Sequence, residues 1–387
     1  MAAVAAAIFL ALVIHAAAVV LGHVPVLDGG LVDADAYLRL VRVEELWRNG
    51  AWFDATLARV DPPDGFELHW TRPLDVLLLA GAGILGIGMP FERALYWWGV
   101  ALGPLLQIAT IAVFLWATGP LLPRRWRGRA AFLFVAQPAI FLAFLIGRPD
   151  HHGLLVLLAT LLIGWTLRSL LAPEKAVNAF AAGTFGALAV WVSIESLLPV
   201  AVALAGLVVS WTMGHRHALE AGRRFSLAFL IGLIIAGGIE RGAGLPTADD
   251  IDRLSRVHVL LAAINLALWM VLERLERAYT RRHHRSRPGR CVILIGLAAA
   301  AGAAILFLIE PRFFADPMRS GDSLYLSRHQ AFIDELQPLF VAPEGGGPDG
   351  VVAALVRPLL WLGITVPALV WLGWRLLRTV VGPTERT

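Results

Sequence analysis

Residues 29–75 read GGLVDADAYLRLVRVEELWRNGAWFDATLARVDPPDGFELHWTRPLD, a polar island carrying nine acidic residues. It follows an apolar run, Ala2–Gly22, which at about twenty residues can cross a bilayer. The island is too long for a turn between helices and too short for an independent domain. It therefore reads as a functional loop lying on a membrane surface. Within it AYLRLVRVEELW predicts a helix over residues 36–47, with Asp33 or Asp35 at its N-terminus. A carboxylate there caps the helix. Two carboxylates so close together at a membrane surface also suit a divalent cation or base chemistry. Trp52-Phe53 and His69-Trp70 read as interfacial anchors of the same loop.

The rest of the chain fixes the class. Of 387 residues, 58% are hydrophobic and 16% charged, and the mean hydropathy is +0.70. Soluble domains carry about 25% charged residues, so this is a polytopic membrane protein. A pI near 9.8 raises nucleic acid as a partner. The arginines, however, sit in short clusters between apolar runs, which the positive-inside rule explains, and no nucleic-acid partner is expected. The single cysteine, Cys291, opens an apolar run, so no disulfide framework or cysteine metal site exists.

After Ala2–Gly22, read as a retained anchor, spans are expected at Leu95–Leu121, Ala130–Gly147, Gly153–Leu171, Ala176–Val192 and Leu197–Met213. Four more follow at Phe225–Ile239, Val257–Leu272, Cys291–Ile309 and Val351–Leu377. Placing RRWRGR (124–129), HRHALEAGRR (215–224), ERLERAYTRRHHRSRPGR (273–290) and the Arg375/Arg378 tail inside puts both termini in the cytoplasm. Leu74–Met89 is short and glycine-rich and ends at Pro90, so it reads as a juxtamembrane or partly re-entrant helix of the opening loop. The expected fold is an all-α polytopic membrane protein. It is one domain, a bundle of about ten transmembrane helices. A long first external loop, residues 23–94, carries juxtamembrane helices, and a second long external loop covers residues 310–350.

Two further outer elements carry candidate chemistry. Arg148-Pro149-Asp150-His151-His152 separates two apolar runs and holds more coordinating groups than a connector needs. Carboxylate and imidazole together suit a divalent ion, with Mg²⁺ or Mn²⁺ preferred over zinc. In the 310–350 loop, Asp334 and Glu335 precede Gln337-Pro338, and Arg319, Arg328 and His329 supply cations able to hold a phosphate. Glu195 lies in a turn near the same membrane face.

In this order, these pieces resemble the catalytic membrane subunit of the oligosaccharyltransferases, within the GT-C glycosyltransferases. The opening loop is similar to that family's first external loop at Asp35, Tyr37 and Arg39, at Trp52-Phe53-Asp54, and at Pro62-Pro63-Asp64-Gly65, His69-Trp70 and Pro73-Leu74-Asp75. Gly147–His152 resembles the second acidic motif as archaeal members write it, and Ile333-Asp334-Glu335 with Gln337-Pro338 resembles the fifth-loop motif. Phe332 stands where the family has Thr or Ser, and the expected C-terminus falls just after a helix, without the family's soluble domain. The resemblance implies a GT-C-like bundle in which Asp35 (or Asp33) is metal ligand and catalytic carboxylate. It makes Asp150 and His152 further ligands and has Glu335 organise the acceptor or its loop.

The expected function is a metal-dependent glycosyltransferase of the inner (cytoplasmic) membrane, working on its extracytoplasmic face. It would take a polyprenyl-linked sugar donor and an extracytoplasmic acceptor whose class, protein, lipid or polysaccharide, stays open. Arg39, Arg148 and Arg328 are the candidates for gripping the donor phosphate, with His151 and Gln337 as further substrate contacts. Two rivals are a secondary transporter and a non-catalytic scaffold of a cell-envelope glycan assembly complex. A transporter would gather its acids at the bilayer midplane, often in duplicated halves, whereas here they gather on the outer loops.

Overall fold

The structure, a computed structural model, describes residues 2–60, 62–245, 250–283 and 288–314, with positions 358 and 370. Among them the chain is almost wholly helical. In order come α1 (Ala2–Val20), α2 (Ala34–Asn49), α3 (Arg72–Leu85), α4 (Phe91–Thr118), α5 (Arg124–Val135), α6 (Pro138–Leu142), α7 (His152–Leu171), α8 (Ala176–Val192), α9 (Leu197–Thr212), α10 (His217–Arg241), α11 (Arg256–His283) and α12 (Pro288–Ile309). A two-stranded antiparallel ribbon, β1 (Thr56–Leu57) and β2 (Phe66–Glu67), pairs Thr56 with Glu67 and Leu57 with Phe66. The main unit comprises Met1–Val135 with Ala143–Phe314. A second unit holds Ala136–Leu142 with Ala315–Thr387 and contains α6.

Among the described residues, seven helices are long and apolar enough to cross a bilayer: α1, α4, α7, α9, α10, α11 and α12. The 17-residue α8 is at the lower limit of a span. Large apolar side chains stand outward on them, among them Phe9, Leu198, Val202, Ile231 and Ile235. In a membrane this surface meets lipid. The core between helices is Leu162, Val190, Leu207, Trp211, Phe225, Phe229 and Leu233, all buried. Helix α8 reaches α10 closely because Gly183 has no side chain; a Cβ there would stand 2.1 Å from the Phe225 carbonyl oxygen.

Three expectations need correction or limits. Ala130–Gly147 is not one span: the chain leaves the helix after Val135 and resumes only at Pro138. A proline disfavours the helical conformation in the residue before it and offers no N–H to the preceding turn. The basic runs at 215–224 and 273–290 are largely helix rather than loop. They extend α10 and α11 and pair their charges along and between helices, as in Arg224–Glu220 (2.6 Å) and Arg223–Glu273 (2.9 Å). The expected span Val351–Leu377 lies outside the described residues.

The ends of the bundle are chemically distinct. At one end Arg127, Arg168, Arg223 and Arg290 bind helix carbonyls or glutamates, and Gly128 of α5 meets Ala3 at the start of α1. At the other, the opening loop folds over the ends of α8 and α10. Thr71 Oγ1 donates to the Val192 carbonyl (2.9 Å), Trp52 Nε1 to that of Ile239 (2.7 Å), and the Arg72 N–H to Glu240 (3.1 Å).

What holds the loop in shape is a charge cluster. Asp75, in the first turn of α3 and fully buried, accepts from Arg42 Nε (2.8 Å) and Arg72 Nη1 (3.1 Å), with Arg39 Nη1 at 3.5 Å. Arg42 also donates to the Trp70 carbonyl (2.8 Å), and Arg72 to those of Ala51, Trp52 and Asp54. Arg39 lies over the Trp70 ring at 3.9 Å, so Trp70, 8% exposed, is a core residue of the loop and not an interfacial anchor. Breaking a buried ion pair from one side costs about 3–5 kcal/mol, because the partner charge stays behind unpaired. Asp75→Ala strands three guanidiniums. We expect it to lose at least that much stability, read as a collapse of thermal unfolding temperature in detergent.

Candidate functional site

The second acidic motif is positioned by glycines. Gly147 has φ +74°, and a Cβ there would meet Val26 Cγ1 at 2.7 Å. Its N–H donates to the Val100 carbonyl of α4 (3.2 Å), and its own carbonyl accepts from Val32 N–H (3.2 Å) of the opening loop. On α4, Gly99 and Gly103 stand one helical turn apart, and a Cβ at Gly103 would meet the Phe144 carbonyl at 2.5 Å. These small residues let the 143–150 backbone lie flat against α4, wedged beside Val24, Val26 and Leu31. The start of α7 is thereby brought to the start of α2.

At that meeting point the two aspartates of the opening loop separate in role. Asp33 is in extended conformation and caps α2, its Oδ1 accepting from the Ala36 N–H (2.8 Å) while Oδ2 accepts from Arg148 Nε (2.9 Å). Asp35 lies in the first turn and is exposed. Its carboxyl is pushed above the usual range, first by partial desolvation and then by the charges of Asp150 and Asp33; Arg148 and Arg39 only partly offset them.

Asp150 is buried. Its Oδ1 accepts from the backbone N–H and the Nδ1 of His151 (both 2.6 Å), and its Oδ2 from His152 Nδ1 (2.5 Å). Burial alone would raise its carboxyl, but these hydrogen bonds outweigh it and hold the group well below the usual carboxylate range. The two imidazoles stack with centroids 4.4 Å apart. An imidazole donating from Nδ1 to a carboxylate keeps its Nε2 lone pair for a ligand, the arrangement commonly found behind metal-bound histidine. The donor atoms of Asp150, His151 and His152 lie within 4.8 Å of one another. A buried carboxylate flanked by two imidazoles fits a divalent cation.

Other predicted residues fall elsewhere. Arg39 is 2% exposed and belongs to the Asp75 cluster, so it is not presented to a phosphate. The reason is local: on α2 it shares a face with Arg42, and both turn toward α3. Arg148 is at the site, held by Asp33 and 3.8 Å from Asp150. Glu335, Gln337 and Arg328 lie outside the described residues. Glu195, exposed in the turn before α9, is close enough for its charge to act on His152 and His69. Sequence reasoning read His69 only as an interfacial anchor and a motif residue and missed Asp252 and Arg253; the three join His151 around one small cavity. Nothing in their spacing marks them, since they come from distant loops.

Among solved structures, the chain is similar to the archaeal oligosaccharyltransferase AglB from Archaeoglobus fulgidus in complex with an inhibitory peptide and a dolichol-phosphate. The TM-score is 0.61 at 17% identity, over 89% of this chain and 41% of that one. The likeness is one of fold, and it extends over part of that structure. The Archaeoglobus fulgidus enzyme tethered by a disulfide to an acceptor peptide with an NVT sequon gives a TM-score of 0.57 at 16% identity, over 89% of this chain and 40% of that one. The same enzyme in complex with Zn and sulfate gives 0.53 at 17% identity, over 72% and 36%. The present chain therefore spans about two fifths of the length of these oligosaccharyltransferases. No family model and no curated protein matches it.

The raised Asp35 carboxyl has a consequence for stability. A group whose pKa is higher in the folded than in the unfolded state favours folding below the unfolded value, and that contribution is lost as pH rises through the folded one. Asp35→Asn should therefore raise the unfolding temperature of chelator-treated protein at neutral pH. The gain should shrink as pH falls toward the ordinary aspartate value of 3.8. A pH series of thermal melts in detergent measures it.

Proposed function

We propose that this chain is a membrane-embedded, metal-dependent glycosyltransferase of GT-C type. It would transfer a sugar or oligosaccharide from a polyprenyl-phosphate-type lipid donor to an extracytoplasmic acceptor. The observation that carries this reading is the cluster of Asp150, His151 and His152, with Asp35 near enough for the charge of Asp150 to act on it, in a chain whose fold is similar to that of oligosaccharyltransferases. The cluster lies at the end opposite the basic helix ends, which the positive-inside rule assigns to the cytoplasm together with the start of α1. The membrane is then the cytoplasmic membrane and the site faces outward; the C-terminus is cytoplasmic in the same reading. In the described spans, acidic residues (Glu92, Glu220, Glu240, Glu273 and Glu276) lie outside the most apolar stretches, which favours surface chemistry over a midplane transport site.

In this reading Asp35, Asp150 and His152 hold Mg²⁺ or Mn²⁺. The ion, when bound, supplies neutralisation of the charge developing on the leaving phosphate. The N-termini of α2 and α7 both point at the site, and each favours an anion such as the donor phosphate. Arg148, fixed by Asp33, adds a positioned cation, and His151 holds Asp150 in place for its role. Asp35 polarises the acceptor and takes its proton as the acceptor atom bonds to the sugar and the lipid phosphate departs. The resemblance would have Glu335 organise the acceptor or its loop, with Gln337 and Arg328 as further substrate contacts.

Removing one preorganised electrostatic group from such a site costs about 10²–10³-fold in rate. Alanine at Asp35 or at Asp150 is expected to lower transfer by at least that factor while the protein still inserts and folds. The readout is mass spectrometry of envelope glycans and polyprenyl-linked sugars in a deletion strain complemented with each variant. Full activity in either variant overturns the assignment. Independently of activity, Mn²⁺ at a hundredfold over its Kd should stabilise the purified protein by about 2.7 kcal/mol. Asp150→Ala should abolish that gain, as measured by thermal unfolding.

A further inference from the structure

A second cavity opens beside the site, between the opening loop and the outer ends of α10 and α11. It is lined by Trp52, Phe53 and Glu67 on one side and by Glu240, Arg241 and Arg253 on the other, with about 180 Å³ of free space. Arg253 also lines the smaller cavity that contains His151 and His69, so the two adjoin along one side chain. The space lies below the roughly 300–1,000 Å³ typical of drug-sized ligands, which limits an occupant to about one ring.

Its chemistry is unusual for a phosphate site. The guanidiniums are already matched: Arg241 by Asp250, Arg253 by Glu67 and Asp250, and Arg72 by Asp75. No excess positive charge is left to grip an anion. What the cavity does offer is a dense set of donors and acceptors beside aromatic surface. Phe53 is 66% exposed at the rim, and Trp52 is fixed in place by its hydrogen bond to the Ile239 carbonyl. Paired charges that exchange hydrogen bonds with hydroxyls, next to an apolar ring face, match a neutral sugar ring, which has hydroxyls at its edge and C–H groups on its face.

We propose that this cavity is a saccharide subsite that binds one neutral pyranose, belonging either to the donor lipid or to an acceptor glycan, and sets its position relative to His151. The proposal rests on the glycosyltransferase reading, which it deepens by naming a second contact for the sugar. Phe53 and Glu67 are positioning residues in it.

Saturation-transfer difference NMR on the full-length protein in nanodiscs tests it, with methyl pyranosides of neutral hexoses and N-acetylhexosamines as probes and methyl glucuronide as the charged control. At least one neutral glycoside should bind, and Phe53→Ala and Glu67→Gln should each weaken it by about tenfold, a loss of about 1.4 kcal/mol, with thermal unfolding unchanged. Competition separates the two sources. Displacement by a polyprenyl-phosphate hexose places the donor's sugar here, whereas displacement only by a soluble oligosaccharide places the acceptor's; either supports the subsite. Absence of binding by every neutral glycoside, binding unaffected by both variants, or tighter binding of the glucuronide overturns it. Because the assay needs neither metal nor turnover, its failure with the Mn²⁺ stabilisation intact removes the subsite alone. Sugar binding without any metal response leaves the subsite standing and removes the metal-dependent reading.

Discussion

Three guanidiniums and one carboxylate, all withdrawn from solvent, hold the outer end of this molecule together. Asp75 is reached by Arg39 and Arg42 from α2 and by Arg72 from its own helix, and further donors of Arg42 and Arg72 go to carbonyls of Ala51, Trp52, Asp54 and Trp70. A cluster of this kind is weak evidence for net stability, since desolvating the ions costs much of what their attraction returns. Its contribution is to geometry. It fixes the angle between α2 and α3 and closes the polypeptide between them, so that the N-terminus of α2 has one place to be. Asp33 and Asp35 inherit their positions from it.

The site proper uses the same economy of contact. Asp33 satisfies the α2 end and Arg148 at once, while Asp35 has negative neighbours whose charge Arg148 and Arg39 only partly offset. Asp150 is the opposite case, buried and saturated by the two histidines beside it. One acid is raised, first by desolvation, and the other is lowered by hydrogen bonds from the histidines beside it. Such separation is a common sign of distinct roles within one centre.

Much of this was legible in the sequence, for identifiable reasons. The helix over 36–47 showed in its apolar spacing, and the shortness of the 74–89 run showed that it could not span; α3 has 14 residues. The grouping of Asp150, His151 and His152 was legible because they are consecutive. The choice between Asp33 and Asp35 was not, because capping depends on which residue adopts the extended conformation, a matter of backbone angles. Arg39 was misread because a sequence displays a charge without its partner; Asp75 lies 36 residues away. Pro138 was visible, yet apolar length outweighed it in the expectation of a span at 130–147. His69, Asp252 and Arg253 converge only in three dimensions.

The contacts that complete the outer end also impose an order of assembly. Asp33 waits for Arg148, 115 positions later, and the ribbon and Trp52 wait for partners 186 and 187 positions later, at Arg253 and Ile239. During synthesis the first loop emerges long before the ends of α10 and α11 exist, so Asp33, Trp52 and Glu67 lack those partners meanwhile, although the Asp75 cluster draws on residues of the loop alone. Its hydrophilicity therefore has a second use, as a holding state. The loop stays soluble on the membrane surface until nearly two hundred further residues have been threaded and can close over it.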